Sequence, residues 1–245
     1  MSIRIRNKNA ILELLQEGLN FEKITIAHDL KQDDLTKEIL SIASQKKIPV
    51  EKILRRKMIR GRSRRSQEVL IALLNPNNEW TLKDLLNDLA RKNEDPFFVL
   101  IHRVTYENNI GLIARTAFAA GANGLIFQGE KDNFLNEETL HFSTGAIARI
   151  PLVKMSIFES LKALKKNGIR TFSLQADGKV HFKEDLTGPI AFVLGGEREG
   201  LSDKISDRSD QKLSIPMKGG INSLNVGISA GIILYEKIRQ EDMIK

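Results

Sequence analysis

Short, apolar, strand-like runs alternate with segments of helical periodicity from Phe97 to near the end of the chain. The predicted strands are Phe97–His102, Leu125–Gln128, Thr171–Gln175, Ile190–Leu194 and Lys212–Pro216. The predicted helices are Ile110–Ala120, Glu137–Arg149, Ile157–Lys166 and Leu224–Arg239. Because neighbouring parallel strands need a long crossover connection, which is usually a helix, this succession predicts an α/β domain with a mostly parallel sheet.

A smaller α/β unit is predicted in front of that domain. Helical patterns at Asn7–Gly18 and Asp33–Ser44 enclose a strand-like stretch at Lys23–Ala27, and Val69–Leu74 is expected to close the unit as a strand. Turn-forming residues follow, and the next apolar periodicity, at Trp80–Lys92, predicts one more helix. The expected organisation is an N-terminal domain over residues 1–74, a linker with a helix over 75–96 and a second domain over 97–245.

The positive charge of the chain is concentrated in its N-terminal segment. The formal net charge is +7, and residues 1–73 hold 16 Lys and Arg against 9 Asp and Glu. Burying a dense cationic run would be too costly, so such a run is either solvated or bound to anions. We predict that it contacts RNA phosphates, because the planar guanidinium of arginine can donate two parallel hydrogen bonds to a phosphate. The alternative is a flexible basic loop without a specific partner. The cations of this run are Arg55, Arg56, Lys57, Arg60, Arg62, Arg64 and Arg65.

Composition excludes several classes of protein. The chain has no cysteine, which rules out disulfides, iron–sulfur clusters and thiolate zinc sites. Its longest apolar runs are much shorter than a membrane span, and the first residues lack the apolar core of a signal peptide. We therefore expect a cytoplasmic protein that does not associate with a membrane.

An unusual junction follows the predicted strand Phe97–His102. Asn109 precedes the apolar stripe of the next helix, so its side chain is suited either to capping that helix or to catalysis. Arg115 lies off the stripe and is expected to point into a cleft or solvent, as a functional cation or as an ordinary surface charge. The stripe consists of Ile110, Ile113, Ala114, Ala117, Phe118 and Gly121.

A glycine-rich loop follows the predicted strand Ile190–Leu194. Leu194 leads into Gly195, Gly196 and Glu197, and Gly200 follows three residues later. Glycine permits close backbone approach and positive φ angles. The spacing matches neither the dinucleotide-binding fingerprint nor the Walker A pattern, so the loop is either a structural turn or a ligand loop of another kind.

A third junction begins where the strand Lys212–Pro216 ends. Ser223 is placed to cap the final helix, which is apolar on nearly every side and is therefore expected in a core or a subunit interface. Asn225, near the start of that helix, needs hydrogen-bond partners if it is buried. A structural contact accounts for Asn225 as well as catalysis does.

Together the three junctions resemble the ordered motifs of the SpoU family of RNA ribose methyltransferases. The resemblance covers about residues 97–240 and rests on Asn109-x-Gly111-x-x-x-Arg115, Gly196-Glu197-x-x-Gly200, and Ile215-Pro216-Met217 through Ser223-Leu224-Asn225. Ser143-Thr144-Gly145-Ala146 and Pro151 resemble the stretch between the first two motifs. The N-terminal segment is similar to the small ribosomal-protein-like RNA-binding domain of the bacterial 23S rRNA guanosine methyltransferases in this family. One departure is Tyr106-Glu107-Asn108, where many relatives have Asp-Pro, so the bend into the helix must be built differently.

This resemblance implies a SPOUT fold with a deep trefoil knot, a homodimer, and S-adenosyl-L-methionine as the methyl donor without a metal. It implies methyl transfer to a ribose 2'-hydroxyl of RNA, with a guanosine in 23S rRNA as the leading substrate. Arg115 is expected to act as a fixed cation, since a guanidinium hardly ever loses its proton. The catalytic residues that the resemblance assigns are Arg115, Asn109, Glu197, Ser223 and Asn225. The cofactor-binding residues are Gly196, Ile215, Leu224, Leu194, Gly195, Gly200 and Met217.

Two alternatives remain at this point. The substrate is a tRNA ribose instead, or the chain has lost catalysis and serves ribosome assembly as an RNA-binding protein. A nicotinamide dehydrogenase is a poorer interpretation, because the sequence has no dinucleotide fingerprint.

Overall fold

The structure of the chain, a computed structural model, describes residues 3–30, 33–54, 70–76, 78–129, 134–196 and 200–243. The chain divides into two compact units, Met1–Asn77 and Asn78–Lys245. None of the helices in these described ranges is long and apolar enough to cross a lipid bilayer.

The N-terminal unit is a small α/β structure built on a four-stranded sheet. Its strands lie in the order β1-β4-β2-β3, in which β2 and β3 are parallel and β4 is antiparallel to both β1 and β2. Side chains such as Ile11, Ile24 and Ile39 are fully buried between the sheet and the helices. The elements are β1 (Ile3–Ile5), α1 (Lys8–Gln16), β2 (Phe21–Ala27), α2 (Asp34–Gln45), β3 (Val50–Ile53) and β4 (Leu70–Leu74).

The C-terminal unit is an α/β structure with a six-stranded sheet in which every neighbouring pair of strands is parallel. The prediction of a mostly parallel sheet is thus confirmed. The strand order is β10-β8-β9-β5-β6-β7. The strands are β5 (Phe97–His102), β6 (Gly124–Phe127), β7 (Leu152–Lys154), β8 (Arg170–Val180), β9 (Ile190–Gly195) and β10 (Gln211–Ser214).

Helices cover this sheet, and their apolar faces form the core with the strands. Leu85 and Leu89, for example, lie in one buried cluster with Phe98, Leu100 and Val193. The helices are α3 (Leu82–Lys92), α4 (Glu107–Ala119), α5 (Glu137–Phe142), α6 (Ile157–Lys166), α7 (Asp203–Ser206) and α8 (Val226–Asp242).

One predicted helix of this unit is shorter in the structure, and one strand was not predicted. The helix predicted over Glu137–Arg149 ends at Phe142, because Thr144 and Gly145 take the left-handed conformation, with φ of 48° and 80°. A single turn of 3-10 helix follows at Ala146–Ala148. The strand Leu152–Lys154 was not predicted, since three residues are too few to show a periodic pattern.

Candidate functional site

The three junctions singled out in the sequence lie at the carboxyl ends of strands β5, β9 and β10 in the C-terminal unit. Strands β5 and β9 are neighbours, and the last residue of one, His102, is paired with the last residue of the other, Gly195. In open parallel sheets, ligands bind outside the carboxyl ends of the strands. The sheet therefore places the first two junctions side by side, at the edge where a ligand site is expected.

Asn109 and Asn225 join the first junction to the third. The Nδ2 group of Asn225 donates a hydrogen bond to Oδ1 of Asn109 at 2.8 Å, across 116 residues of sequence. Oδ1 of Asn225 in turn accepts from the backbone N–H of Gly227 at 2.8 Å and caps helix α8. Asn109 is only 3% exposed. The side-chain amide of Asn225 thus caps helix α8 and also holds the buried amide of Asn109 in the first turn of α4.

Both capping interpretations from the sequence are wrong. Helix α4 starts at Glu107 with Tyr106 as its N-cap, so Asn109 lies inside the first turn and cannot cap it. Tyr106 has extended backbone geometry and makes no side-chain cap hydrogen bond. At α8 the N-cap is Asn225, whereas Ser223 is exposed in the preceding loop.

Glycines allow helix α4 to pack closely against α5 and α8. A Cβ atom on Gly111 would lie 2.4 Å from Cβ of Phe142, at the end of α5. A Cβ atom on Gly227, in α8, would lie 2.9 Å from Cβ of Leu112. Most of the predicted apolar stripe of α4 is buried against the rest of the unit, and Arg115 is exposed. The guanidinium of Arg115 is therefore accessible to a substrate.

The second junction is packed against the connection between β5 and α4. A Cβ atom on Gly196 would lie 2.1 Å from the carbonyl oxygen of Arg103. The backbone N–H of Gly200 donates to the carbonyl of Gly196 at 3.0 Å, and Gly200 has φ of +61°. The glycines thus close a tight turn against Arg103. Glu197, which was predicted to be catalytic, lies outside the described residues.

The third junction is an irregular segment between β10 and α8. The hydroxyl of Ser214, the last residue of β10, donates to the carbonyl of Gly178 at 2.8 Å and anchors the start of this segment. Ile215, Met217 and Leu224 are half-buried. They offer apolar side chains and backbone polar groups near the site. Their assignment to cofactor binding stays a prediction.

His102 and Arg103 adjoin the site and were missed by the sequence analysis. Nδ1 of His102 is buried and has no hydrogen-bond partner in the described part of the chain. Burial lowers the pKa of the His102 imidazole, and the positive charge of Arg103 lowers it further, so the neutral ring is favoured. Arg103 is exposed and has a left-handed backbone with φ of 56°. No local sequence pattern signals a positive φ at an arginine.

The cations Arg55–Arg65 proposed for RNA contact lie outside the described residues, so this assignment stays a prediction. Within the described ranges, no group of three or more His, Asp or Glu side chains is arranged to hold a metal ion.

The hydrogen bond between Asn109 and Asn225 leads to a prediction about stability. Asn225→Ala removes a helix cap, worth about 1 kcal/mol, and also strips a buried amide of a partner, at about 1–3 kcal/mol. We expect urea unfolding to show a loss of about 2–4 kcal/mol. Asn136→Ala, at the N-cap of α5, is the matched control and should show the smaller capping loss. Adding Asn109→Ala to Asn225→Ala should cost less than the two single changes together; strict additivity would contradict the coupling.

Comparison with known proteins identifies one family and gives relatives and a solved structure that are similar to this chain. A sequence model of the SpoU rRNA Methylase family matches residues 96–235. The chain is 28% identical over 239 residues to a putative TrmH family tRNA/rRNA methyltransferase, YacO, of Bacillus subtilis, covering 97% of this chain and 95% of the relative. It is 27% identical over 245 residues to the 23S rRNA (guanosine-2'-O-)-methyltransferase RlmB of Pseudomonas putida, covering 98% and 97%. Among solved structures, it resembles the SpoU methyltransferase AviRb from Streptomyces viridochromogenes in complex with AdoMet, with a TM-score of 0.76, 25% identity and coverage of 98% and 91%.

Proposed function

The chain belongs to the SpoU rRNA methylase family, and from this premise we propose that it methylates a ribose 2'-hydroxyl of RNA, at a guanosine of 23S rRNA. It is an RNA methyltransferase that uses S-adenosyl-L-methionine. The ribose position and the ribosomal target are the proposal. The observation that carries it is the hydrogen bond from Asn225 to Asn109, which brings two motifs far apart in sequence to one edge of the sheet.

The residues of the second and third junctions fit a nucleoside-containing methyl donor. S-adenosyl-L-methionine supplies a methyl group already activated by its sulfonium charge. The turn at Gly195 and Gly196 is packed closely against the backbone of Gly200 and Arg103, and its peptide groups lie at the carboxyl end of β9. Half-buried Ile215, Met217 and Leu224 offer apolar contacts, with Leu194 and Gly200 bounding the turn. We assign these residues to holding the donor.

On the RNA side, Arg115 is assigned the main role. Its exposed guanidinium is suited to orienting the ribose and its phosphate and to stabilising negative charge that develops on the 2'-oxygen. Asn109 is buried and bonded to Asn225, so we assign both a positioning role for the start of α4. Glu197 and Ser223 would complete the polar wall of the site.

The chain path supports the trefoil knot that we propose for this unit. Strand β10 lies at one edge of the sheet, separated from β5 by β8 and β9. Helix α8 nevertheless begins beside α4, which follows β5. Residues 215–225 therefore return across the carboxyl ends of β8 and β9, a route that is compatible with such a knot.

The N-terminal unit, residues 1–74 in our assignment, would deliver the RNA. Its excess of Lys and Arg favours phosphate contact, with Arg55, Arg56, Lys57, Arg60, Arg62, Arg64 and Arg65 as the proposed contacts. We place the enzyme in the cytoplasm, where ribosomal RNA is accessible to it and where a chain without cysteine needs no oxidising environment.

A homodimer is proposed through helix α8. One face of the helix is buried in the unit, whereas Ile228 and Tyr235 on another face are 55% and 51% exposed, with Ile232 half-buried between them. Ile228, Ile232 and Tyr235 form an i, i+4, i+7 stripe that a second copy would cover.

This dimer can be tested by charge substitution. Ile228→Asp combined with Tyr235→Asp should yield a monomer in light scattering after gel filtration, because a dimer would have to bury unpaired carboxylates. Phe158→Asp, at a residue that is 45% exposed on α6, is the control and should leave the oligomeric state unchanged. A double variant that has the mass of the wild-type dimer would exclude α8 from the interface.

The proposed function is tested by mapping ribose methylation in total RNA from a strain that lacks this gene. We expect the loss of a single 2'-O-methyl mark on a guanosine of 23S rRNA and its return with a plasmid copy. If the lost mark lies on a tRNA instead, the substrate is tRNA, the other RNA class in the names of the relatives. Unchanged methylation at every ribose would refute the proposal.

A further inference from the structure

Arg103 has a backbone conformation that its position in the fold does not explain. Among the described residues, four that are not glycine have positive φ angles: Lys47, Asn93, Arg103 and Thr144. Three of these lie at or just after the end of a helix, where a left-handed residue commonly terminates the turn. Arg103 instead follows directly after strand β5.

The backbone of Arg103 is also held in place. Its carbonyl oxygen lies so close to Gly196 that a Cβ atom there would approach it to 2.1 Å. Arg103 thus keeps a left-handed φ of 56° at a point where its carbonyl is packed against the second junction. Glycine would adopt this angle without steric cost, and an arginine does not. A strained residue kept at a ligand-binding edge suggests that its side chain is used.

The side chain of Arg103 carries a positive charge at this edge of the sheet. The residue is exposed, its carbonyl is packed against Gly196 of the glycine turn, and in sequence it precedes the helix that bears Asn109 and Arg115. Arg103 directly follows His102, the last residue of β5, so it lies at the carboxyl end of that strand. An RNA strand that presents a ribose at the carboxyl end of β5 would bring its phosphates past this cation.

We propose that Arg103 is an RNA-binding residue of the methyl-transfer site, which takes the backbone phosphate next to the target ribose. This inference rests on the proposed function and adds a second fixed cation to Arg115. A planar guanidinium on a rigid backbone can hold a phosphate by two parallel hydrogen bonds. Arg103 would thereby fix the register of the RNA strand without taking part in the chemistry.

The test uses Arg103→Gly, which removes the guanidinium and relieves the backbone at the same time. We expect its melting temperature to equal or exceed that of the wild-type chain and its affinity for S-adenosyl-L-methionine to be unchanged. Binding to a protein-free 23S rRNA transcript should weaken about tenfold. The slope of log affinity against log salt should become shallower by about 0.7–0.9, the effect of losing one phosphate contact. The KM for the transcript should rise while kcat changes little.

Two variants serve as controls. Arg91→Ala removes an exposed arginine near the end of α3. Because this residue precedes the amino end of β5, the substitution should leave the slope of log affinity against log salt unchanged. Asn93→Gly relieves a positive φ elsewhere in the unit and should affect stability alone.

The outcomes separate this inference from the proposed function. If the wild-type chain methylates the transcript and Arg103→Gly shows the same KM and the same salt slope, the role of Arg103 is refuted while the function stands. If the wild-type chain binds the transcript without methylating it, the function fails, and the salt slope of Arg103→Gly still decides whether Arg103 contacts RNA. A wild-type chain that does not bind the transcript overturns both.

Discussion

Replacing Arg115 with alanine is expected to slow methyl transfer about 100- to 1000-fold, the usual effect of removing one preorganised donor to developing negative charge. Arg115 is exposed on α4, and the second- and third-junction residues assigned to the methyl donor lie elsewhere in the chain. Affinity for S-adenosyl-L-methionine should therefore remain within about twofold, since the substitution leaves those contacts in place. Single-turnover methylation and calorimetric titration measure the two effects separately.

The companion variants make this prediction specific. Arg115→Lys keeps the charge but loses the planar fork, so it should recover only part of the rate. Arg208→Ala removes an exposed arginine that precedes β10, at the opposite end of the sheet, and should methylate at the wild-type rate. Full turnover by Arg115→Ala would remove this residue from the mechanism.

The second large effect is expected for Gly196→Ala. The added Cβ would meet the backbone carbonyl of Arg103 at 2.1 Å, and a carbonyl between a strand and a helix cannot rotate away as a flexible side chain would. The glycine turn must shift, at about 1–3 kcal/mol of stability, and backbone groups assigned to the donor shift with it. We expect affinity for S-adenosyl-L-methionine to fall more than about tenfold, as measured by calorimetry together with thermal unfolding.

Gly219→Ala is the matched control for this substitution. Gly219 belongs to the third junction, but a Cβ atom there would meet nothing within 4 Å. It should therefore bind the donor and unfold like the wild-type chain. If Gly196→Ala behaves in the same way as Gly219→Ala, the glycine turn does not hold the donor.

The parallel sheet could be predicted because most of its strands appear in the sequence as apolar runs, and segments of helical periodicity separate these runs. Strand β9, for example, is buried at Ile190–Leu194 and matches its prediction closely. Strand β7 has three residues, and its pairing with β6 depends on the sheet and not on any local pattern. The break after Phe142 had a local signal in Gly145, whose φ of 80° suits glycine.

The site was predicted less completely, because its contacts join distant parts of the chain. The sequence indicated that Asn225 needs a partner, but it could not identify Asn109 as that partner. The sequence analysis placed the N-cap of α4 at the wrong residue. The N-cap is Tyr106, which makes no side-chain hydrogen bond to the helix, whereas the usual N-cap residues do. Helix α8 is apolar on nearly every side and was expected in a core or a subunit interface; in the structure one face is buried and another is exposed.

Because Asn109 and Asn225 are far apart in sequence, their hydrogen bond forms only late in the synthesis of the chain. The first amide leaves the exit tunnel 116 residues before the second. At about 5–20 residues per second, that interval lasts roughly 6–23 s. During this time helix α8 is not yet present to hold the first turn of α4. During that interval the basic N-terminal unit is already made, but the methyl-transfer site lacks its third junction, so the growing chain should not methylate RNA.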